Sequence, residues 1–559
     1  MRWSWLLALS LAAGAQDRWV EVRSGPFEVL SAAGERPAQQ ALGDLEQFRH
    51  IFGRVLSREE LISVWPIRVL VLRSGRRSEP PTPPAMGRDS FVASLIADTA
   101  PPREWFASLA RILLDANARR LPARIEAGLL EYYSMVRING VRITVGQPPP
   151  QPNLDWARIH LLSLHPDYYG KLRPLLFNLQ QIADPEPAWK NALGKSATEI
   201  DKEAAAHLAA GNFQTEVIAA RPLNPRTEFR PLPVEPPRAE IALADLRLVQ
   251  GRHSEAQNLY EAALKIEASS PDAREGLALL ALQRDAQEEA RRHLQAAIQA
   301  GSRSARVYFE AARLEGDGEK ALGALRKAAE LNPQWAAPHI AAAERPAEPS
   351  GRVQALTQAA KLAPRQASLW RALAEAQEQG GDFRAAGRSW AAAEQAAADL
   401  DERERIREAR RSLDVRRLEA EAAARRREAE EKERELARLK EEALRRIREA
   451  EARANRELGP PPAKVEPWFE TPRPSGKVQG RLTRIDCLRS TARLIIQQED
   501  GKLTRLVIRD PSKVVVLGGG RLEMVCGAQK QPRAVVIEYF PKPDAALGTV
   551  GEVATIEYR

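Results

Sequence analysis

No stretch of the 559 residues stays apolar over the roughly 20 positions that a helix needs to cross a bilayer, so no transmembrane segment is expected in the mature chain. A shorter apolar run, residues 3–13, follows Arg2 and ends at Ala13-Gly14-Ala15, a small-x-small cleavage pattern. These are the parts of a bacterial secretory signal peptide, residues 1–15, cut just after Ala15. They predict an extracytoplasmic protein, periplasmic or secreted. Cysteine is nearly absent: Cys487 and Cys526 are the only two, and neither follows the cleavage point closely enough to carry a lipid. Export permits a disulfide between them, and one is predicted.

Aromatic residues make up only 6% of the chain, while alanine is abundant, a balance that favours helices packed closely through small side chains. A strong excess of one charge is also missing. The net charge is +9 on 84 basic and 75 acidic residues, and across residues 401–457 the arginines alternate with glutamates. That pattern makes a solvated mixed surface and predicts no nucleic-acid partner. The 40 prolines gather near 79–84, 148–152, 222–237 and 460–473, and they mark boundaries in a chain long enough for three or four units.

The expected fold is multidomain. Residues 16–221 mix strand-like runs (27–30, 67–72, 141–145) with helical runs (39–52, 104–116, 123–134), an α+β pattern. A Pro-rich linker, 222–237, leads into an internal repeat over 238–398. There an alanine, a large residue four later and an alanine three after that recur: Ala256, Tyr260, Ala263; Ala290, Leu294, Ala297; Ala321, Leu325, Ala328; Ala386, Trp390, Ala393. A weaker unit holds Leu356 and Ala359. The first three alanines stand at steps of 34 and 31 residues, and Pro333 and Pro364 fall where second helices stop. This resembles the tetratricopeptide (TPR) repeat, and residues 250–264, QGRHSEAQNLYEAAL, come close to its consensus. The resemblance implies an all-α solenoid of about five stacked helix pairs.

Residues 400–458 read as one long charged helix without glycine or proline. Its thin stripe, Leu436, Leu439, Ala443, Ile447, Ala450, Ala454 and Leu458, has an eleven-residue period. A spacer or coiled coil is expected, with self-association through 400–458 as one use. After a second linker, 459–475, residues 476–559 turn to short alternating runs and predict a small all-β domain, a barrel or a sandwich, with a hairpin at Asp500-Gly501. Gly518-Gly519-Gly520 is not followed by a helix with Lys-Ser/Thr and reads as a strand connection rather than a phosphate loop.

Chemistry would have to come from the first zone. Residues 105–134 read WFASLARILLDANARRLPARIEAGLLEYYS. This resembles a zinc metallopeptidase segment of the gluzincin (peptidase MA-like) type, found beside TPR repeats in many exported bacterial proteins. In that family one helix carries HExxH, a connection ends in Leu-Pro, and a second helix carries E-G-L-A-E-Y. Leu121-Pro122, Gly128-Leu129 and Glu131-Tyr132 set the register over some thirty residues; the rest of 16–221 follows loosely. On that register the two metal-binding histidines fall on Ala107 and Arg111, the general base on Ser108 and the third ligand on Ala127. Alanine offers no donor atom, and a protonated guanidinium has no lone pair and repels a cation. Serine cannot take a proton from water at neutral pH as a carboxylate does.

The expectation is a pseudopeptidase domain with no catalytic residue, no metal and no cofactor, in a scaffold that binds a protein or peptide through the repeat groove. The alternative is a metal-dependent hydrolase with a nonstandard site in 16–221, drawn from Glu104, Asp115, Glu126 and Glu131, or from His160 and His165.

Overall fold

The computed structural model describes residues 18–75, 79–181, 184–345, 349–457, 459, 472–517 and 524–559. The expected signal peptide (residues 1–15), Gly518-Gly519-Gly520 and most of the second linker, residues 460–471, lie outside these. Two compact units are present, Met1–Lys432 and Glu433–Arg559.

The first unit opens with a hairpin, β1 (Val20–Ser24) and β2 (Phe27–Ser31), turned at Gly25, whose positive φ suits a residue without Cβ. Helix α1 (Glu35–Val55) then leads to β3 (Ile67–Leu72), β4 (Ala85–Met86) and β5 (Phe91–Ile96). Strands β2, β3 and β5 run parallel, and β4 is an antiparallel edge beside β5. Next come α2 (Arg103–Asn117) and α3 (Ala123–Ser134), then β6 (Arg137–Asn139) and β7 (Arg142–Val145). Helices α4 (Leu154–Leu164), α5 (Leu172–Leu179), α6 (Pro185–Leu193) and α7 (Ala197–Ala210) follow. Strand β8 (Glu216–Ala219) joins β6 and β7 in a small antiparallel sheet.

The 222–237 segment is not a free linker. It forms α8 (Pro225–Glu228) and β9 (Leu232–Pro233), and β9 adds to the main sheet beside β1, with Val20 opposite Pro233. An edge strand tolerates proline because the missing N–H would have pointed outward.

Five helix pairs follow in antiparallel stacking: α9 (Pro236–Val249) with α10 (His253–Ile266), α11 (Pro271–Gln283) with α12 (Gln287–Gln299), α13 (Ala305–Leu314) with α14 (Gly318–Leu331), α15 (Ala337–Ala343) with α16 (Pro349–Leu362), and α17 (Ala367–Gln379) with α18 (Phe383–Ala396). This is a TPR-like array. Its spaced residues Ala256, Tyr260, Ala263, Ala290, Leu294, Ala297, Ala321, Leu325, Ala328, Leu356, Ala359, Ala386, Trp390 and Ala393 are all buried at the crossings. Gly276 on α11 lies so close to the Tyr260 ring that a Cβ there would collide with it.

The parallel strands alternate between two cores. Val29, Val69 and Ala93 face α1 and α2, whereas Leu30, Leu70 and Val92 face Ala239, Ala242 and Leu246 of α9. The first repeat helix therefore covers one face of the N-terminal sheet. Strands buried on both sides carry near-continuous apolar runs, as IRVLVL in β3 does.

The single helix expected over 400–458 is two. Helix α19 (Leu400–Arg411) ends at Ser412, and α20 (Leu413–Glu457) begins one residue on. Ile406 of α19 is buried with Ala396 and Ala397 against Trp390, so α19 closes the end of the array. Helix α20 has no buried residue among those described and is laced by i,i+4 pairs such as Lys432–Glu428 at 2.6 Å and Arg446–Glu442 at 2.7 Å.

In the second unit, β10 (Gly476–Leu488), β11 (Thr491–Gln497), β12 (Leu503–Ile508), β13 (Val515–Leu517), β14 (Gly527–Phe540) and β15 (Gly551–Tyr558) form one sheet. Strands β12 and β13 follow each other along the same edge of β15, both parallel to it. The β12–β15 pairing closes the sheet into a barrel around Leu482, Ile496, Leu506, Ile537 and Ile556. Cys487 and Cys526 are joined as a disulfide, with Cα atoms 5.5 Å apart. No helix of the described residues is long and apolar enough to cross a membrane.

Candidate functional site

Helix α2 buries Trp105, Phe106, Leu109, Ala110, Leu113 and Leu114 against the sheet, which turns Ala107, Ser108 and Arg111 to its half-exposed side. Helix α3 lies beside it. Gly128 permits α3 to approach α4 so closely that a Cβ would strike the Asp155 carbonyl. Ala127 is exposed, and its neighbour Glu126 is the buried acid.

Glu126 accepts from every side. Its Oε1 takes the backbone N–H of Leu121 at 2.9 Å, and its Oε2 takes Nη1 of Arg111 at 3.0 Å. The third donor comes from the array: Nη2 of Arg365, in the turn before α17, lies 2.6 and 2.7 Å from the two carboxylate oxygens. Arg365 also donates to the carbonyls of Ala118 and Arg119, at 3.5 and 3.3 Å, and approaches Asp115 at 3.2 Å. Burial raises the pKa of Asp115, against the pull of Arg365 and Arg111.

A metal does not fit here. The position that would carry the second histidine holds a guanidinium already paired with the one buried acid. The carboxylate's lone pairs are spent on two cations and an amide. The other acids weighed above are scattered: Glu104 is exposed, and Glu131 accepts from Asn153 at 2.5 Å. His160 is buried on α4, with Nδ1 2.9 Å from Nε2 of His207 and Nε2 2.9 Å from the Gln214 carbonyl. Burial lowers the pKa of both imidazoles. His165 instead caps the following turn through the Asp167 N–H. Among the described residues no group of three His, Cys, Asp or Glu side chains is arranged to hold a metal ion.

A second set of buried charges ties the sheet to the first repeats. Arg68 of β3 bonds Glu28, Asp89 and Asp245 at 3.1, 2.9 and 3.1 Å. Arg88 reaches Asp245 at 3.2 Å and Glu275 at 2.5 Å, while Tyr260 donates to Asp245 and Ser304 to Glu275, both at 2.7 Å. The acids outnumber the two guanidiniums, so they cannot all ionise at no cost. Burial pushes Glu275 up to about 7 and raises Asp245, whereas Arg68 and Arg88 hold Asp89 below the usual range.

Further along the array, Trp335 packs edge-on to Trp65 at 4.9 Å, and the Asn332 amide donates to the Val64 carbonyl at 2.9 Å. The N-terminal domain thus sits against the first-helix ends of the array at several points. Sequence reasoning missed these contacts. The one signal available was the lone acid Asp245 inside the apolar run IALADLRLV.

Between α2 and the array lies a cavity of about 630 Å³, lined by Ser63, Arg111, Ile112, Arg120, Trp335 and Ile340 among others.

No family model matches the sequence, and no curated protein matches it. Similar solved structures are TPR proteins. YrrB, described as having an unusual peptide-binding site, is 16% identical, covers 30% of this chain and 90% of its own, and gives a TM-score of 0.26. Pseudomonas aeruginosa pilF is 17% identical, with coverage of 34% and 97% and a TM-score of 0.26. A thermophilic TPR protein of Thermus thermophilus is 27% identical, with coverage of 31% and 98% and a TM-score of 0.23. Likenesses of that extent assign no activity to this chain.

Proposed function

We propose that this chain is a non-catalytic, exported scaffold for protein–protein interaction, in which a degenerate gluzincin-like domain and a TPR-like array act as one binding body. The observation that carries this is the Arg111–Glu126–Arg365 cluster. Two guanidiniums stand where a peptidase would need a cation site, and one of them is supplied by the array itself. An acid held by two permanent cations neither binds zinc nor takes a proton from water at neutral pH. The parallel strands, the antiparallel edge β4 and the helix pair α2–α3 support descent from a peptidase whose cleft the repeats have since covered. The partner is a protein or peptide, met by the compound surface of domain and array rather than by an empty groove.

Cross-linking in intact cells tests it. A defined heteromeric product carrying this chain, with a mature N-terminus at Gln16, is expected. A chain found only as itself, or one retaining residues 1–15 in the cytoplasm, would overturn the proposal.

A further inference from the structure

In the barrel, β10, β11 and β12 form an antiparallel meander whose buried residues Leu482, Ile485, Leu494, Ile496, Leu506 and Ile508 fix its inner face. The register then sets the outer face in three rows. Arg481 stands beside Gln497 and Gln497 beside Leu503; Arg484 stands beside Ile495 and Ile495 beside Arg505; Asp486 stands beside Arg493. Residues directly opposite across antiparallel strands share a face, so four arginines meet one aspartate there.

That aspartate is already taken. Asp486 accepts from Arg484 at 2.5 Å and from Arg493 at 2.8 Å. Arg481 and Arg505 are exposed, and neither has a carboxylate within ion-pair distance among the described residues. Elsewhere on the barrel charges are matched: Lys477 with Glu538 at 3.1 Å, Arg509 with Asp544 at 2.6 Å, and Lys542 with Glu552 at 3.8 Å. Glu499 and Asp500 belong to the hairpin that follows β11, beyond the rows. Residues 476–559 hold 14 basic and 9 acidic side chains, and most of the excess is gathered on this one face.

Cations in rows without anions to match call for a polyanion. Arg484 and Arg505 lie two strands apart, about 10 Å between backbones, a spacing that fits charges repeated along a chain better than one small ion. Each guanidinium can take a carboxylate or sulfate at two points. Single-stranded nucleic acid is held by stacking its bases on aromatic rings, and β10, β11 and β12 contain no Phe, Tyr or Trp. Duplex nucleic acid is held by many phosphate contacts, more than two free guanidiniums and two shared ones supply. An acidic peptide carries its carboxylates on mobile side chains that lose rotamer freedom on binding, whereas a sugar ring holds its acid group fixed.

We propose that the outer face of β10, β11 and β12 binds an acidic polysaccharide, with Arg481 and Arg505 pairing its carboxylate or sulfate groups and Arg484 and Arg493 flanking them. The inference goes beyond the scaffold reading and does not rest on it, because it gives the barrel a ligand of its own.

The test is fluorescence anisotropy of the full mature protein at about 0.15 M salt. The labelled probes are polygalacturonate, heparin, polyglutamate, a single-stranded oligonucleotide and a duplex. One or both glycans should bind more tightly than the other three probes, and the tighter glycan names the acid group. Arg481→Gln with Arg505→Gln should weaken glycan binding about tenfold or more, the size of lost charge-assisted bonds. Arg426→Gln with Arg427→Gln, exposed on α20, removes the same charge and should leave binding within about twofold. Equal losses in the two double variants would show attraction to net charge alone and overturn the site. So would no binding of either glycan, or tighter binding of polyglutamate or of either nucleic acid. The scaffold reading is tested separately, by the cross-linking described above.

Discussion

Arg365 and Glu126, 239 residues apart in sequence, meet with a guanidinium nitrogen 2.6 and 2.7 Å from the two carboxylate oxygens. Both side chains are almost wholly buried, at 9% and 6% exposure. The contact joins the turn before α17 to α3, so the final repeats and the N-terminal domain are stabilised by the same ions.

Removing one partner should therefore be felt by both. Arg365→Ala leaves a buried carboxylate with only Arg111 and an amide, and the cost is expected near the low end of the range for broken buried pairs, about 3 kcal/mol. Because Glu126→Gln removes the charge that Arg365 serves, the double variant should lose much less than the sum of the singles. Thermal unfolding of the four proteins closes the cycle; additive losses would show that the pair does not couple.

A pH dependence follows from Asp44 on α1. Burial raises its pKa to about 7, and its one hydrogen bond, from Gln40 at 2.9 Å, lowers it only partly. The folded value lies above the unfolded one, near 4. Stability from this group is therefore complete below about pH 4 and is lost as pH rises toward 7. Asp44→Asn should raise Tm at pH 8 and change it little at pH 4. A variant equally stabilised at both pH values would contradict the account.

Two glycines in the array should respond with opposite signs to alanine. At Gly276 a Cβ runs into the Tyr260 ring, and Gly276→Ala is expected to cost about 1–3 kcal/mol through overpacking. At Gly323 on α14 nothing lies within 4 Å, so Gly323→Ala should gain about 0.5–1 kcal/mol from helix propensity. Tm values of the two variants decide it.

For the barrel, thiol titration of the unreduced protein should find no free cysteine, and two after reduction. Cys487→Ser with Cys526→Ser opens a loop of 39 residues and should cost about 2–4 kcal/mol. Two reactive thiols in the unreduced protein would contradict the pairing.

The array was legible because its determinants are local. Small residues at the crossings repeat with the helix, so Ala256, Tyr260 and Ala263 announce their own burial. The alternation of β10 to β15 was legible for the same reason. Arg365, Arg88 and Glu275 were not, because a charged side chain in a helix or turn reads as surface until something far away in sequence covers it. Ile406 reads as one apolar residue in a charged helix until the end of the array covers it, and pairing with β1, not composition, gives the Pro-rich stretch its short strand. On the peptidase-like register the third ligand falls on Ala127, but that residue is exposed; Glu126 beside it is the buried acid, since the helix turn and not the motif decides which side chain faces Arg111.

Metal content of the purified protein is the most direct test of the central proposal, that guanidinium–carboxylate pairing between α2 and α3 occupies the place where a gluzincin-type peptidase would hold its metal. Elemental analysis after purification without chelator should find far less than one zinc per chain, and the same for Glu126→Ala. One tightly held transition metal per chain, lost in Glu126→Ala together with cleavage of a peptide, would contradict it.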